Sequence, residues 1–261
     1  MTELPLAGRR VLVTRAAHQA GKLSEELRAL GAEPVEVPVL EIRPPESFTA
    51  LDESLRNLGS YEWLVFSSAN AVRTFAQRAK QEGIILRPAE SLQVAAVGAT
   101  TAAAVEEIGL KADVVPESYV AECLVAALTP LIAGKRVLLA RAAVARDVIP
   151  TSLRSAGAQI EVVDAYRNVL PESAPARLRK AVAEPIDVAT FTSSSTVTHL
   201  ADAARLAGLA FPLAGVAAIS IGPITSKTLR EHGWEPKAEA NPSDMAGLVA
   251  AVQGYCSHSS R

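Results

Sequence analysis

Aromatic residues make up only 4 % of this 261-residue chain, cysteine occurs twice, histidine four times, and neither sign of charge is in excess. So few aromatic rings leave little surface on which bases could stack. With 26 Lys and Arg against 28 Asp and Glu, the net charge of −2 gives no field to draw in a polyanion, so nucleic acid is not expected as a partner. Cys123 and Cys256 stand far apart without partner spacing, which argues against a structural disulfide and for a reducing compartment. Cys123, in an apolar helical stretch, is expected in a core. His18, His199, His232 and His258 form no metal-ligand pattern, and no metal site is expected. No apolar run approaches the ~20 residues of a membrane span, and the opening MTELPLAGRR does not read as a signal peptide. No membrane partner is expected, and the expected location is the cytoplasm.

What the chain has is apolar aliphatic residues and repetition. Residues of the apolar classes make up 49 % of it, enough for two domains of ordinary size, each with its own core. Leu6-Ala-Gly-Arg-Arg-Val-Leu-Val-Thr-Arg15-Ala-Ala returns about 125 residues later as Ile132-Ala-Gly-Lys-Arg-Val-Leu-Leu-Ala-Arg141-Ala-Ala. Phe66-Ser-Ser-Ala-Asn-Ala-Val72 returns as Phe191-Thr-Ser-Ser-Ser-Thr-Val197, and Val97-Gly-Ala-Thr-Thr101 as Ile221-Gly-Pro-Ile-Thr225. Partners in one order at nearly constant spacing point to an internal duplication. Two similar lobes are expected, with a cleft between them as the first place for a ligand.

Val11–Thr14, Leu64–Phe66, Val94–Val97, Val137–Leu139, Val188–Phe191 and Ala217–Ile221 are short apolar runs without polar alternation, as expected of parallel strands covered on both faces. Leu23, Leu27 and Leu30 give the following helical stretch one apolar stripe, which Gly31 ends. The alternation of such units predicts an α/β fold built on parallel sheets. Val35–Ile42 and Ile160–Val169 alternate and run into proline, which suits extended connectors better than central strands. Side by side they would form a hinge. The stretch after Gln253 has no periodicity and reads as a frayed tail.

The repeated words fall at the carboxyl ends of the strands, where parallel α/β sheets present helix N-termini to ligands. Ser67, Ser68, Ser193 and Ser194 supply hydroxyls there, and Gly98 and Gly222 allow close backbone approach. Any one of these serines is also read as a plain helix cap. No phosphate-binding loop of the G-x-x-x-x-G-K-[ST] or G-x-G-x-x-G kind occurs. Arg15 and Arg141 each end the first strand of a repeat. They are candidates for gripping carboxylates, or else solvated arginines at strand ends. Tyr166 is the one phenol of the second connector.

Taken together, Val11-Leu-Val-Thr-Arg15, Phe66-Ser-Ser-Ala-Asn-Ala-Val72, Tyr166, Phe191-Thr-Ser-Ser-Ser-Thr-Val197 and Ile219-Ser-Ile-Gly-Pro-Ile-Thr225 resemble the uroporphyrinogen-III synthase family from about residue 6 to about residue 252. Ala69 stands where proline is common in that family, and Ser226 where alanine is common. The resemblance implies a discontinuous lobe of residues 1–37 and 171–261, a two-stranded β ladder of 38–45 and 164–170, and a second lobe of 46–163. It implies a lyase that closes hydroxymethylbilane to uroporphyrinogen III with inversion of ring D and loss of water, without metal or organic cofactor. It also implies possible handover from the upstream bilane synthase. Tyr166 would assist the departing hydroxyl, while Thr101, Thr225, Ser67, Ser68, Ser193, Ser194 and Gly222 would contact substrate. Whether Thr100 or Thr101 faces the ligand stays open. A monomer is expected, since the duplication already supplies both halves. A non-catalytic binding protein would be expected to carry an export signal or output module, and a flavodoxin-like carrier would need aromatic residues around its flavin.

Overall fold

The computed structural model describes residues 4–87, 91–117 and 120–258, with the side chains of His18 and Gln19 outside that description. In chain order, β1 (Arg10–Val13), α1 (Ala17–Ala29) and β2 (Glu33–Glu36) lead to β3 (Glu41–Arg43) and α2 (Thr49–Arg56). Next come β4 (Trp63–Phe66), α3 (Ala69–Gln81), β5 (Gln93–Ala96), α4 (Ala99–Glu107) and α5 (Ala121–Leu128). After them follow β6 (Arg136–Ala142), α6 (Val148–Ser155), β7 (Gln159–Val169) and α7 (Ala174–Ala181). The chain closes with β8 (Val188–Phe191), α8 (Ser194–Ala207), β9 (Ala217–Ser220), α9 (Pro223–Glu231), β10 (Ala238–Glu239) and α10 (Met245–His258).

Two compact units result. One holds the described residues up to Glu41 and from Val169 onward, the other Ile42–Asn168. Among the described residues the first carries a sheet of order β10-β9-β8-β1-β2 and the second a sheet of order β3-β7-β6-β4-β5. The pairs β1 with β2 and β8, β8 with β9, β9 with β10, β4 with β5 and β6, and β6 with β7 are all parallel. When each strand is exchanged for its sequence repeat, β1 for β6, β8 for β4 and β9 for β5, the central order of the two sheets is the same.

Successive side chains of a strand point to opposite faces, so a strand with helices on both sides must be apolar throughout. In β6, Leu138 and Ala140 enter one core with Phe66, Val72 and Phe75, while Val137 and Leu139 enter another with Leu124, Leu128 and Leu153. β1 divides likewise: Leu12 packs with Phe191 and Leu200, and Val11 and Val13 pack with Leu23, Leu27 and Val252. Gly31 ends the α1 turn at φ +92°, and a Cβ there would lie 2.8 Å from Leu4 Cβ, so this stop needs glycine for both conformation and space.

Two expectations are corrected. The segment Ile160–Val169 is not only a connector: Gln159–Asp164 pair in register with Arg136–Arg141 of β6, making β7 an interior strand with β3 on its other side. Gln159, Glu161 and Asp164 are exposed along it, and these polar positions are what make the segment read as a connector. The tail after Gln253 is not frayed within the described residues either. There α10 runs on to His258, because Leu248, Val252 and Cys256 recur at helical spacing and are all buried. Cys123, expected in a core, is half-buried.

In the unit of Ile42–Asn168, Arg78 of α3 forms half-buried ion pairs with Asp52 of α2 and with Glu82. Arg78 donates from Nε and Nη2 to the two carboxylate oxygens of Asp52, at 2.6 and 2.7 Å, while its guanidinium stacks 4.6 Å over the Phe48 ring. The hydrogen bonds from Arg78 hold the Asp52 carboxyl below its ordinary range. A carboxyl lowered in the folded state adds stability above its unfolded value near pH ~3.9 and loses it as pH falls through the lower folded one. Asp52→Asn is therefore expected to melt a few degrees below the wild type at pH 7, with the gap closing below about pH 4 in paired thermal scans. A gap independent of pH would assign the loss to packing.

Candidate functional site

In each unit the repeated words lie where adjacent strands end. β4, β6 and β7 are neighbours in the sheet, so Ser67 and Ser68, Arg141, and Tyr166 come together at one edge. Tyr166 is in register with Ala142, and its carbonyl accepts from Ala143 N at 2.8 Å. Tyr166 is only 5 % exposed, packed in the core that contains Phe66 and Val163. Its hydroxyl lies 3.1 Å from Ser68 Oγ, with the Asn70 side chain near enough to favour the ionised phenol. Burial raises the phenol above its ordinary value, and the side chains of Ser68 and Asn70 oppose that rise.

Ser68 has two partners. Its Oγ accepts from Ala71 N at 3.1 Å and so caps α3, which is the plain structural role. A hydroxyl that accepts one bond still has a proton to donate, and Tyr166 is the partner within reach. Ser67 is half-buried beside it. Gly98 is the N-cap of α4, in extended conformation, and the first turn of that helix holds Thr101 at 4 % exposure with Thr100 exposed. The Thr100 hydroxyl therefore meets solvent and Thr101 turns inward. Arg141 leaves β6 with its side chain 15 % exposed and Nη1 donating to Asp147 Oδ1 at 2.7 Å.

The other unit arranges its residues similarly. β1, β8 and β9 are adjacent, which brings Arg15, Ser193, Ser194 and Gly222 to one edge. Ser193 caps α8 in a reciprocal box with Thr196. Ser194 Oγ accepts from Thr228 of α9 at 2.8 Å, tying the two helix starts together. Gly222 precedes Pro223 at the head of α9, where Thr225 is 4 % exposed. A Cβ on Gly222 would lie 2.7 Å from Ser243 Oγ, so the glycine makes room for that serine. Arg15 has Nη1 directed at Met245 Sδ, and burial lowers its pKa. Its neighbour Thr14 is fully buried and donates to the Thr190 carbonyl, fixing β1 against β8.

Asn70, Asp147, Thr228, Ser243 and Met245 are the residues that sequence reasoning missed. Asn70 lay inside a repeated word, but its repeat partner is Ser195, which pointed to the backbone of the turn and not to an amide on Tyr166. Asp147 has no counterpart in the repeat: α1 begins two residues after Arg15, whereas a loop separates Arg141 from α6. Among the described residues, no group of His, Cys, Asp and Glu is placed to hold a metal ion, and no helix is long and apolar enough to cross a membrane. A surface hollow of about 410 Å³ lined by Ala76, Lys80, Ile84, Leu86 and Ile108 contains none of the residues named above.

These features define a class: an α/β protein of two parallel-sheet units whose polar groups converge at the carboxyl ends of the strands. Residues 21–250 match the sequence model of a family described as uroporphyrinogen-III synthase HemD. The uroporphyrinogen-III synthase of Synechococcus elongatus is 36 % identical over 262 residues, covering 98 % of each chain. A putative uroporphyrinogen-III synthase of Methanothermobacter thermautotrophicus is 35 % identical, over 85 % of this chain and 88 % of its own. In fold, the chain is similar to a crystal structure of a mutant uroporphyrinogen III synthase from Thermus thermophilus, with a TM-score of 0.68 at 19 % identity, covering 95 % of this chain and 98 % of that one. This chain belongs to the uroporphyrinogen-III synthase family, a family of lyases in porphyrin biosynthesis.

Proposed function

We propose that this protein converts hydroxymethylbilane into uroporphyrinogen III, inverting ring D and releasing water. The observation that carries the reading is the Tyr166 hydroxyl, held against Ser68 Oγ at a strand edge shared with Arg141. Membership of the family supports the substrate.

The bilane carries eight carboxylates and a hydroxymethyl group on its last pyrrole. Loss of that hydroxyl leaves a delocalised azafulvene cation; ring D is then attacked at its substituted carbon, and the spiro intermediate fragments and recloses. Pyrrole nitrogens drive the electron flow, so the protein has to fold the chain and assist departure of water. Where Ser68, already accepting from Ala71 N, donates to the phenolic oxygen, Tyr166 keeps its own proton for the leaving hydroxyl. Arg15, Arg141, Thr101 and Thr225, with Ser67, Ser193, Ser194 and the backbone at Gly222, would hold acetate and propionate groups. Helix N-termini supply much of that grip as backbone N–H, which suits a protein of net charge −2 acting on a polyanion.

Selectivity is the harder demand, because the bilane also closes unaided to the uninverted isomer. A ~100-fold preference needs only about 2.7 kcal/mol of differential barrier. Two hydrogen bonds to charged groups, at roughly 1.5–3 kcal/mol each, suffice if they form only in the folded-back geometry. We also read the two units as an internal duplication, supported by the matching central strand order, with the ladder of 38–45 and 164–170 as the link. A monomer that receives bilane from the upstream synthase fits that reading. The test is the rate at which hydroxymethylbilane disappears: added protein is expected to exceed the spontaneous rate at substoichiometric amounts, and a rate equal to the blank would refute catalysis.

A further inference from the structure

Arg141 is held in an unusual way. Its side chain is 15 % exposed, yet the acceptor on Nη1 is Asp147, whose own side chain is 72 % exposed. The bond is single-pronged, from Nη1 to Oδ1 at 2.7 Å, with the Arg146 carbonyl 3.4 Å from the same nitrogen. Arg141 Nε is buried and has no acceptor. A guanidinium can give a carboxylate two parallel bonds, and here one of its donors is desolvated without return.

Asp147 gives up its local role to make this contact. It stands at the N-cap position of α6, where an aspartate ordinarily accepts from the helix's own N–H groups, and it makes no such bond. Pro150 sits at the third helical position and removes one of the donors it would use. The loop that carries Asp147 is anchored separately, by Arg146 Nη1 to Glu122 Oε1 at 2.6 Å. Asp147 can therefore let go of Arg141 without the loop coming loose.

We propose that Asp147 is a resident carboxylate that occupies the Arg141 guanidinium until a carboxylate of the ligand takes its place, so that Asp147 sets the affinity of this edge for polycarboxylates. The inference rests on the reading of Arg141 as a carboxylate grip. Exposed ion pairs are weak and give way to a better-placed acceptor. A ligand carboxylate would gain a guanidinium that is already largely desolvated.

Asp147→Asn tests this directly, because asparagine keeps the length and capping ability of aspartate and loses its charge. The probe is uroporphyrin III, a stable octacarboxylate, titrated against the full-length protein by fluorescence. D147N is expected to bind it about fivefold more tightly than the wild type. The gain should vanish when R141Q/D147N is compared with R141Q, which a general change in surface charge would not produce. An unchanged or weaker affinity in D147N, or an equal gain with Arg141 absent, would overturn the proposal. Isomer analysis on the same preparations separates the two claims. Uroporphyrinogen III formed without any D147N effect removes the role of Asp147 alone, while a D147N gain in a protein that makes no isomer III removes the proposed activity alone.

Discussion

Replacing Tyr166 by phenylalanine is expected to lower kcat by about 10²-fold, at the low end of what a positioned general acid contributes, with KM changed by less than about threefold. The substitution removes one oxygen from a ring that is already packed among Phe66, Val163 and Ala165, so the core it fills should survive. Ser68 remains engaged as the cap of α3 through Ala71 N, and that helix start has no reason to move. What disappears is a phenolic hydroxyl, protonated at neutral pH as tyrosine ordinarily is and shifted further that way by burial, and so able to donate. Steady-state rates on hydroxymethylbilane generated in situ give the split between kcat and KM. An unchanged kcat would remove Tyr166 from the chemistry and leave it as a packing residue at the strand edge.

Gly247→Ala should cost this protein about 2–3 kcal/mol, although alanine in place of a helical glycine ordinarily stabilises by ~1 kcal/mol. Gly247 lies in the first turn of α10, and a Cβ there would run into the carbonyl oxygen of Pro242. The Cβ is fixed by the backbone of α10 and its partner is a backbone carbonyl, so relief requires α10 to shift from the loop of Ala240–Asp244. Asp244, which caps the helix by accepting from Gly247 N at 2.8 Å, would lose its geometry as well. Gly254, further along the same helix, is exposed and would meet nothing within 4 Å. Its alanine variant is expected to gain ~0.5–1 kcal/mol. Calorimetry on the pair should show melting temperatures moving in opposite directions, by about 2–4 °C per kcal/mol. If both rise, the close approach at Gly247 is easily relieved.

Why the central strands could be read from the sequence and the flanking elements could not follows from burial. β1, β4 and β8 carry almost no polar residue because each is sandwiched between helices, and a short apolar run with no alternation suits little else than a strand covered on both faces. β7 misled because Gln159, Glu161 and Asp164 are exposed along an interior strand, so its sequence alternates as a connector does. The last helix was obscured by Gly254, Ser257 and His258, which dilute a stripe that Leu248, Val252 and Cys256 keep intact.

Site residues divide along a similar line. Serines and glycines at strand ends announce themselves because the backbone needs caps and turns there whatever the ligand, and the sequence carries those words twice. Asn70 acts on Tyr166, a phenol far away in sequence, a pairing that only the packing of β4 beside β6 and β7 creates. Asp147 lies in a loop that only one repeat has, so comparing the halves could not reveal it. The two arginines looked alike in sequence, yet Arg141 faces a carboxylate and Arg15 a thioether.

The most direct test is the isomer composition of the product. Hydroxymethylbilane is generated by its synthase in the presence of this protein, the porphyrinogens are oxidised, and uroporphyrins I and III are separated by chromatography. The account predicts predominantly isomer III. Isomer I alone, from a folded protein that still binds the bilane, would contradict it and leave a binding site without the ring inversion.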